Sequence, residues 1–382
     1  MAYEHVRFPY SGTTDADGHI LEPASLWQDY LEERYRDRAL RICVDDDGLE
    51  YLEIDQRPSE RSKNGTLGVL GAMGERDARP SPDRHYMDHM PFGAGDAKQR
   101  IELLDRENLE KCVLYPTIGL LWECELTDPE LSLAYQRAYN RWIADFCRDS
   151  GGRLVPIAHL TLLDPEGSAD ELERAVADGC RGGFVSQFTH TKKAHGSPDH
   201  DALWSRAAAL GVPIGIHPTL EPFWAAPVRF KRIGRSREFF YNVMLKQGVQ
   251  QAFLSFIGMG TLDRFPDLKL GVLEAGAGWI GSFLDRADAV CETPTGIMAD
   301  MKRLPSEYFR DQCFISGDPD ETALAYVIDH VGADCFMWAT DYPHPDHPGT
   351  WAKSLEALVE PLGEETRAKF LGGNVTRIYG LD

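Results

Sequence analysis

The chain has 382 residues, 43% hydrophobic and 26% charged, enough apolar side chain to bury a sizeable core, and global disorder is excluded. Its formal net charge of -21 at pH 7 repels nucleic acid and anionic membrane surfaces, which leaves a small-molecule substrate as the expected partner. An anionic substrate then requires a local cation, and a bound metal ion would supply one.

The first strand is predicted over residues 13–19. Residues 31–95 that follow are rich in charge, Gly and Pro with aromatics between, and fit no regular alternation. We read them as an insertion after strand one lying over the mouth of the fold, with a separate small domain or a surface loop as the other options. Residues 111–118 form a buried strand stopped by Pro116. Asp128 and Pro129 then start a helix, as N-cap and first helical residue, and helical spacing of apolar residues continues to Gly151. Further strands are expected over residues 154–162, 182–187, 213–217, 268–274, 312–316 and 335–340. Helices separate several of them, near residues 169–177, 203–210, 278–290 and 321–330. Strands alternating with helices imply a parallel sheet, and eight units at this length favour a (β/α)8 TIM barrel of about 250 residues plus insertions. Residues 1–382 are expected to form one such domain.

Side chains at the C-terminal ends of barrel strands converge on one mouth, so those ends are where ligand-type residues should lie. Strand one ends in Asp15-Ala16-Asp17-Gly18-His19, strand five at His217, strand six at Glu274 and strand eight at Asp341. His159 ends strand three and His190 follows strand four. Polar groups at the ends of apolar strands are costly unless paired or metal-bound. Asp17 and His19, two apart, point to one side of an extended strand and can chelate one ion; His217 and Asp341 would close the set from across the barrel. Imidazole and carboxylate together suit Zn, Fe or Mn. Each residue also has a plainer role: turn caps for Asp17 and Asp341, core histidines for His19 and His217. His344 and His347 are expected on an exposed loop, with support for the ligands as the alternative.

The stretch DADGHILEP from Asp15, then Gly-Ile-His-Pro at His217, FPDLKL running into Glu274-Ala275-Gly276, Thr340-Asp341-Tyr342-Pro343-His344 and the tail from Leu371 to Tyr379 occur in that order. This ordered set resembles the amidohydrolase-related family, the branch of the amidohydrolase superfamily that includes aminocarboxymuconate-semialdehyde decarboxylase. The resemblance implies a metal held by Asp17 and His19 as the strand-one pair, His217 on strand five and Asp341 on strand eight. It also implies a homo-oligomer. Glu274 is a departure, because decarboxylating members usually carry a His there. Three carboxylates at one mouth call for one or two divalent ions, with Glu274 as a further ligand or as a lone acid or base. The expected reaction is therefore hydrolysis: an activated water attacks an ester, thioester, lactone or amide carbonyl, Asp341 acts on the water and His190 assists proton transfer. The substrate would be small, a carboxylate or a coenzyme A thioester. The alternative is metal-dependent, non-oxidative decarboxylation of an aromatic or unsaturated acid.

Two other classes compete. Asp15-x-Asp17-Gly18 also resembles the start of haloacid-dehalogenase-type phosphatases, with Asp15 as nucleophile and Asp318 near Mg2+, though the lead-in strand is weakly apolar and His19, His217 and Asp341 gain no role. A non-catalytic barrel that binds a ligand would be expected to have lost part of the ligand set. The eight cysteines form no C-x-x-C pair and read as reduced thiols. Residues 1–10 lack a basic region followed by an apolar run, and nothing approaches the roughly 18 apolar residues of a membrane span, so a cytoplasmic location is expected.

Overall fold

The computed structural model describes residues 3–381 except 4, 226, 227, 229, 235, 295, 299 and 348, so the ends of the expected domain, Met1 and Asp382, lie outside the described residues. The first strand, β1 (Thr13–Ile20), is buried along its whole length. The 31–95 segment contributes an antiparallel sheet of β2 (Arg41–Val44), β3 (Glu50–Ile54) and β4 (Arg57–Pro58). The remaining strands are β5 (Leu109–Pro116), β6 (Leu154–Pro156), β7 (Ala158–His159), β8 (Gly183–Ser186), β9 (Ile214–His217), β10 (Leu270–Val272), β11 (Cys313–Gly317) and β12 (Phe336–Trp338).

Every pairing among β1 and β5–β12 is parallel, in the orders β1-β5-β6 and β7-β8-β9-β10-β11-β12. Ile157 alone separates β6 from β7, which joins the two runs. The ring is closed by backbone hydrogen bonds between the ends of β12 and β1: Asp341 N to Asp17 O at 3.0 Å and His19 N to Tyr342 O at 2.8 Å. The fold is thus the (β/α)8 TIM barrel expected from the alternation. Val113, Tyr115, Val155, Ile157, Phe184, Leu273, Phe314 and Met337 fill its interior, as the inward-pointing residues of parallel barrel strands should.

Several helices form where the sequence signals them, while Lys246–Gly258, Pro305–Gln312 and Trp351–Val359 are not among those expected. Asp128 accepts from Glu130 N and Leu131 N and starts the helix Pro129–Cys147; Asp164 accepts from Gly167 N and starts Pro165–Ala177. The helix Ala97–Glu107 is polar on average; it packs on β5 and buries Leu103 and Leu104. Inside the 31–95 segment, β3 alternates buried and half-buried residues, and Leu52, Ile54, Leu67, Met73 and Tyr86 join the same apolar cluster as the barrel helices. The segment hydrogen-bonds to barrel loops through Ala94 O to Leu21 N, Met73 N to Pro343 O, and Phe92 O to Tyr342 Oη. Among the described residues all eight cysteines are free, and no helix is long and apolar enough to cross a membrane.

Candidate metal centre

The pairing of β1 with β5 shifts register between Asp15 and Gly18, so β1 bulges where its polar residues lie. A bulge re-aims the side chains around it. Asp15 accepts from Thr340 N and Thr340 Oγ1, at 2.9 and 2.6 Å, and ties β1 to the end of β12. Buried against the end of β12, Asp15 does not present an open carboxylate of the kind the phosphatase alternative needs as its nucleophile. Gly18 permits the bulge: a Cβ there would meet Cys112 Sγ at 2.5 Å. Glu22, fully buried, accepts from Thr117, Ile118 and Gly119 N and fixes the loop after β5.

Beyond the bulge, five residues from four strand ends converge. His19 Nε2 lies 2.9 Å from Asp341 Oδ1, 3.6 Å from Asp17 Oδ1 and 3.7 Å from Glu274 Oε2. His217 Nε2 lies 3.0 Å from Glu274 Oε2 and 3.6 Å from Asp17 Oδ1. Ligand atoms of Asp17, His19 and His217, and of His19, Glu274, Asp341 and His344, fall within 4.8 Å of one another.

The far nitrogens of both imidazoles are occupied. His19 Nδ1 bonds Pro116 O at 2.8 Å and His217 Nδ1 bonds Pro218 O at 2.7 Å. Carbonyls only accept, so both Nδ1 atoms carry a proton and each ring turns its Nε2 to the cluster, where the neutral form offers a lone pair. With both rings neutral, the short contacts with carboxylates set lone pair against lone pair, and a proton or a cation between them relieves the repulsion. Accordingly Nε2 of both histidines, both oxygens of Asp17 and of Asp341, and Glu274 Oε2 are buried without a hydrogen-bond partner. Each such orphan costs about 1–3 kcal/mol unless something positive lies between. The donor set of two imidazoles and three carboxylates fits a divalent cation.

Burial pushes the Asp17 carboxyl up, and burial with the adjacent Glu274 charge pushes Asp341 well up. Burial, then the neighbouring imidazoles of His344 and His217, hold His19 well below 6.5. For His217 burial acts downward, but Asp17 and Glu274 outweigh it and raise it well above 6.5. The acidic cluster therefore draws a positive charge to His217 Nε2, a proton or a metal ion, and the two compete. Glu274 and Asp341 both hold left-handed backbone, φ +41° and +56°, a strain typical of functional sites.

His344 and His347 are not on an exposed loop. His344 is buried, stacked on His19 with ring centroids 3.9 Å apart, and its Nδ1 is 3.1 Å from Asp341 Oδ1. His347 Nε2 is 3.4 Å from Asp341 Oδ2, and although burial acts downward, the Asp341 and Asp318 carboxylates raise it to about 9. The turn after Asp341 folds them back, a consequence that the intervening prolines did not reveal. His190 stands elsewhere: its Nε2 bonds Glu123 O at 2.8 Å. Glu123, which carries no signal in the sequence, is a buried carboxylate at the centre of a second polar cluster. It takes His159 Nε2 at 3.1 Å, Ser186 Oγ, and Thr161 Oγ1 at 3.4 Å. No strand-end motif marks Glu123, which sits in a short turn after β5.

The chain matches the family model described as amidohydrolase over residues 124–381. A gamma-resorcylate decarboxylase of Rhizobium sp. (strain MTP-10005) is 24% identical over 311 residues, covering 74% of this chain and 86% of that protein. A 2-amino-3-carboxymuconate-6-semialdehyde decarboxylase of Dictyostelium discoideum is 24% identical over 311 residues, covering 78% and 81%. Among solved structures, an amidohydrolase from Mycobacterium avium subsp. paratuberculosis K-10 superposes with a TM-score of 0.80 at 21% identity, covering 97% of this chain and 99% of that one. A dihydroxybenzoic acid decarboxylase from Polaromonas sp. JS666, with bound manganese and the inhibitor 2-nitroresorcinol, gives 0.64 at 19% identity, covering 97% and 98%. With strand-end polar residues in family order on a closed parallel barrel, and the family model spanning residues 124–381, this chain is an enzyme of the amidohydrolase superfamily and belongs to the amidohydrolase family.

Proposed function

We propose that this enzyme is a divalent-metal-dependent, non-oxidative decarboxylase of a small aromatic carboxylic acid. The observation that carries the metal is the set of unpartnered ligand atoms on Asp17, His19, His217, Glu274 and Asp341, buried together at one barrel mouth. The named activities of the relatives favour decarboxylation over the hydrolysis expected from three carboxylates alone. Manganese in a structural neighbour agrees with the donor set.

Decarboxylation breaks the bond between ring carbon and carboxylate, leaves its electron pair on the ring and releases CO2; one proton must then reach that carbon. A divalent cation at these five residues would anchor an anionic substituent and withdraw charge as the bond breaks. Pro116 O and Pro218 O hold the two imidazoles in the tautomer that keeps Nε2 free. His344, hydrogen-bonded to Thr117 Oγ1, lies with its Nδ1 3.1 Å from Asp341 Oδ1 and walls the Asp341 carboxylate on one side. Glu274 keeps 13% side-chain exposure against 0–4% for the other four. It is the member with an open edge, the side from which a substrate can approach the centre. The 31–95 segment, bonded to the loops after β1 and β12, walls this side of the mouth.

The test is incubation of the Mn2+-loaded protein with a panel of hydroxylated benzoates in D2O. Release of CO2 with one deuterium at the vacated ring carbon is expected. Intact acids, together with turnover of esters or lactones, would return the assignment to hydrolysis.

A further inference from the structure

Glu274 follows β10 in a left-handed conformation that a non-glycine residue holds only when its surroundings impose it. Two contacts flank it. Glu274 N donates to Ser316 Oγ on the neighbouring β11 at 3.1 Å. A few residues on, the Glu321 carboxylate accepts from Ala277 N at 2.7 Å and Asp318 N at 3.0 Å through Oε1, and from Gly278 N at 2.6 Å through Oε2. One side chain thus clasps the turn after β10 to the turn after β11.

The glycines are its complement. A Cβ on Gly278 would come within 2.9 Å of Glu321 Oε2, and one on Gly276, whose φ is +63°, within 3.4 Å. Among the described residues Glu321 forms no ion pair and belongs to none of the groups able to hold a metal, so a direct ligand role does not account for it. Three charge-assisted hydrogen bonds from backbone amides make a rigid clasp, stronger than neutral bonds of the same number.

We infer that Glu321 is a positioning residue of the metal centre: its carboxylate holds the 275–278 turn so that Glu274 enters the centre as a ligand. This rests on the proposed metal site, in which Glu274 is a ligand. Glu321 acts through Glu274 and touches neither metal nor substrate. Residues that orient a ligand in this way typically contribute about 10–100-fold to metal affinity.

The experiment titrates the metal-free protein with Co2+, recording affinity and the visible absorption band for wild type, Glu274→Gln, Glu321→Gln and the double variant. Each single variant is expected to weaken Co2+ binding by about 10–100-fold and to shift the band in the same direction. In the double variant Glu321→Gln should add less than about threefold, because a residue acting through Glu274 has nothing left to act on. Should Glu321→Gln fail to fold, Ser316→Ala, which removes the acceptor for Glu274 N, should give a smaller shift of the same sign. The inference is overturned if Glu321→Gln keeps wild-type affinity and band while Glu274→Gln changes both, or if the two effects multiply. Unchanged behaviour of Glu274→Gln would instead remove Glu274 from the ligand set, and the clasp would lose its object.

Discussion

The barrel mouth carries two buried polar clusters, each setting imidazole against carboxylate, and their carboxylates end in opposite states. On the side of β1, β9, β10 and β12, two imidazoles and three carboxylates leave seven ligand atoms without a partner. On the side of β7 and β8, both oxygens of the Glu123 carboxylate are satisfied by His159, Ser186 and Thr161. Phe184 stands between them, 4.5 Å from the His159 ring and 5.6 Å from that of His217. A histidine at a strand end therefore says little by itself. The two clusters differ at the far nitrogen of their histidines. His19 and His217 donate from Nδ1 to a carbonyl and turn Nε2 inward, whereas His159 sets its Nε2 against a carboxylate and leaves Nδ1 without a partner.

The largest contrast should come from removing the cation. Chelation is expected to lower kcat/KM by about 10³-fold or more, and added Mn2+ should restore it. Asp341→Ala should not be restorable, and its metal content by mass spectrometry should be near zero. Full activity after exhaustive chelation would erase the distinction between the two clusters. Acidification is the next lever. His195, beside the satisfied cluster, bonds Ser186 O at 2.8 Å, and burial lowers it to about 4 from the ordinary 6.5. Between those pH values the unfolded chain takes up a proton that the folded one refuses, so stability falls as pH drops through that window. The loss should approach ~3 kcal/mol, read as a change in urea unfolding that His195→Gln abolishes. An unchanged slope in that variant would mean that His195 titrates normally.

A smaller effect is expected from Glu123→Gln, which sets an amide against donors that now meet a carboxylate. Unfolding free energy should drop by about 2 kcal/mol with metal content intact. Loss of metal in that variant would show that the two clusters are coupled. The smallest effect belongs to His190→Ala. Its bond to Glu123 O is partly exposed, so stability should fall by less than about 1 kcal/mol. A fall in kcat of about 100-fold would instead draw His190 into proton transfer, the role expected from its position after strand four.

Much of this was legible in the chain. Short apolar strands capped by Asp17, His19, His217, Glu274 and Asp341 announce themselves, because a polar group that ends a buried apolar run must find a partner or a metal to offset its desolvation. Asp128-Pro129 and Asp164-Pro165 mark helix starts for a reason equally local, a side-chain acceptor for the first free amides. Residues whose roles depend on a contact across loops were not legible. Glu22, Glu123, Ser316 and Glu321 each act on backbone or side chains far away in sequence, and a carboxylate in a loop looks merely solvated until its partners are known. His344 and His347 belong with them. The chain reversal after Asp341, which brings His344 onto His19, is not written in their spacing.

By itself the order of residues determined an alternating parallel fold and the acid and imidazole groups offered at its rim, because periodicity and strand ends are local properties. Ring closure through Asp341 N and His19 N was decided by the tertiary structure alone. So was the choice of which carboxylates would find hydrogen-bond donors and which would be left needing a positive charge. Hydrogen-bond satisfaction is a property of neighbours in space, and distant segments become neighbours only when the barrel closes.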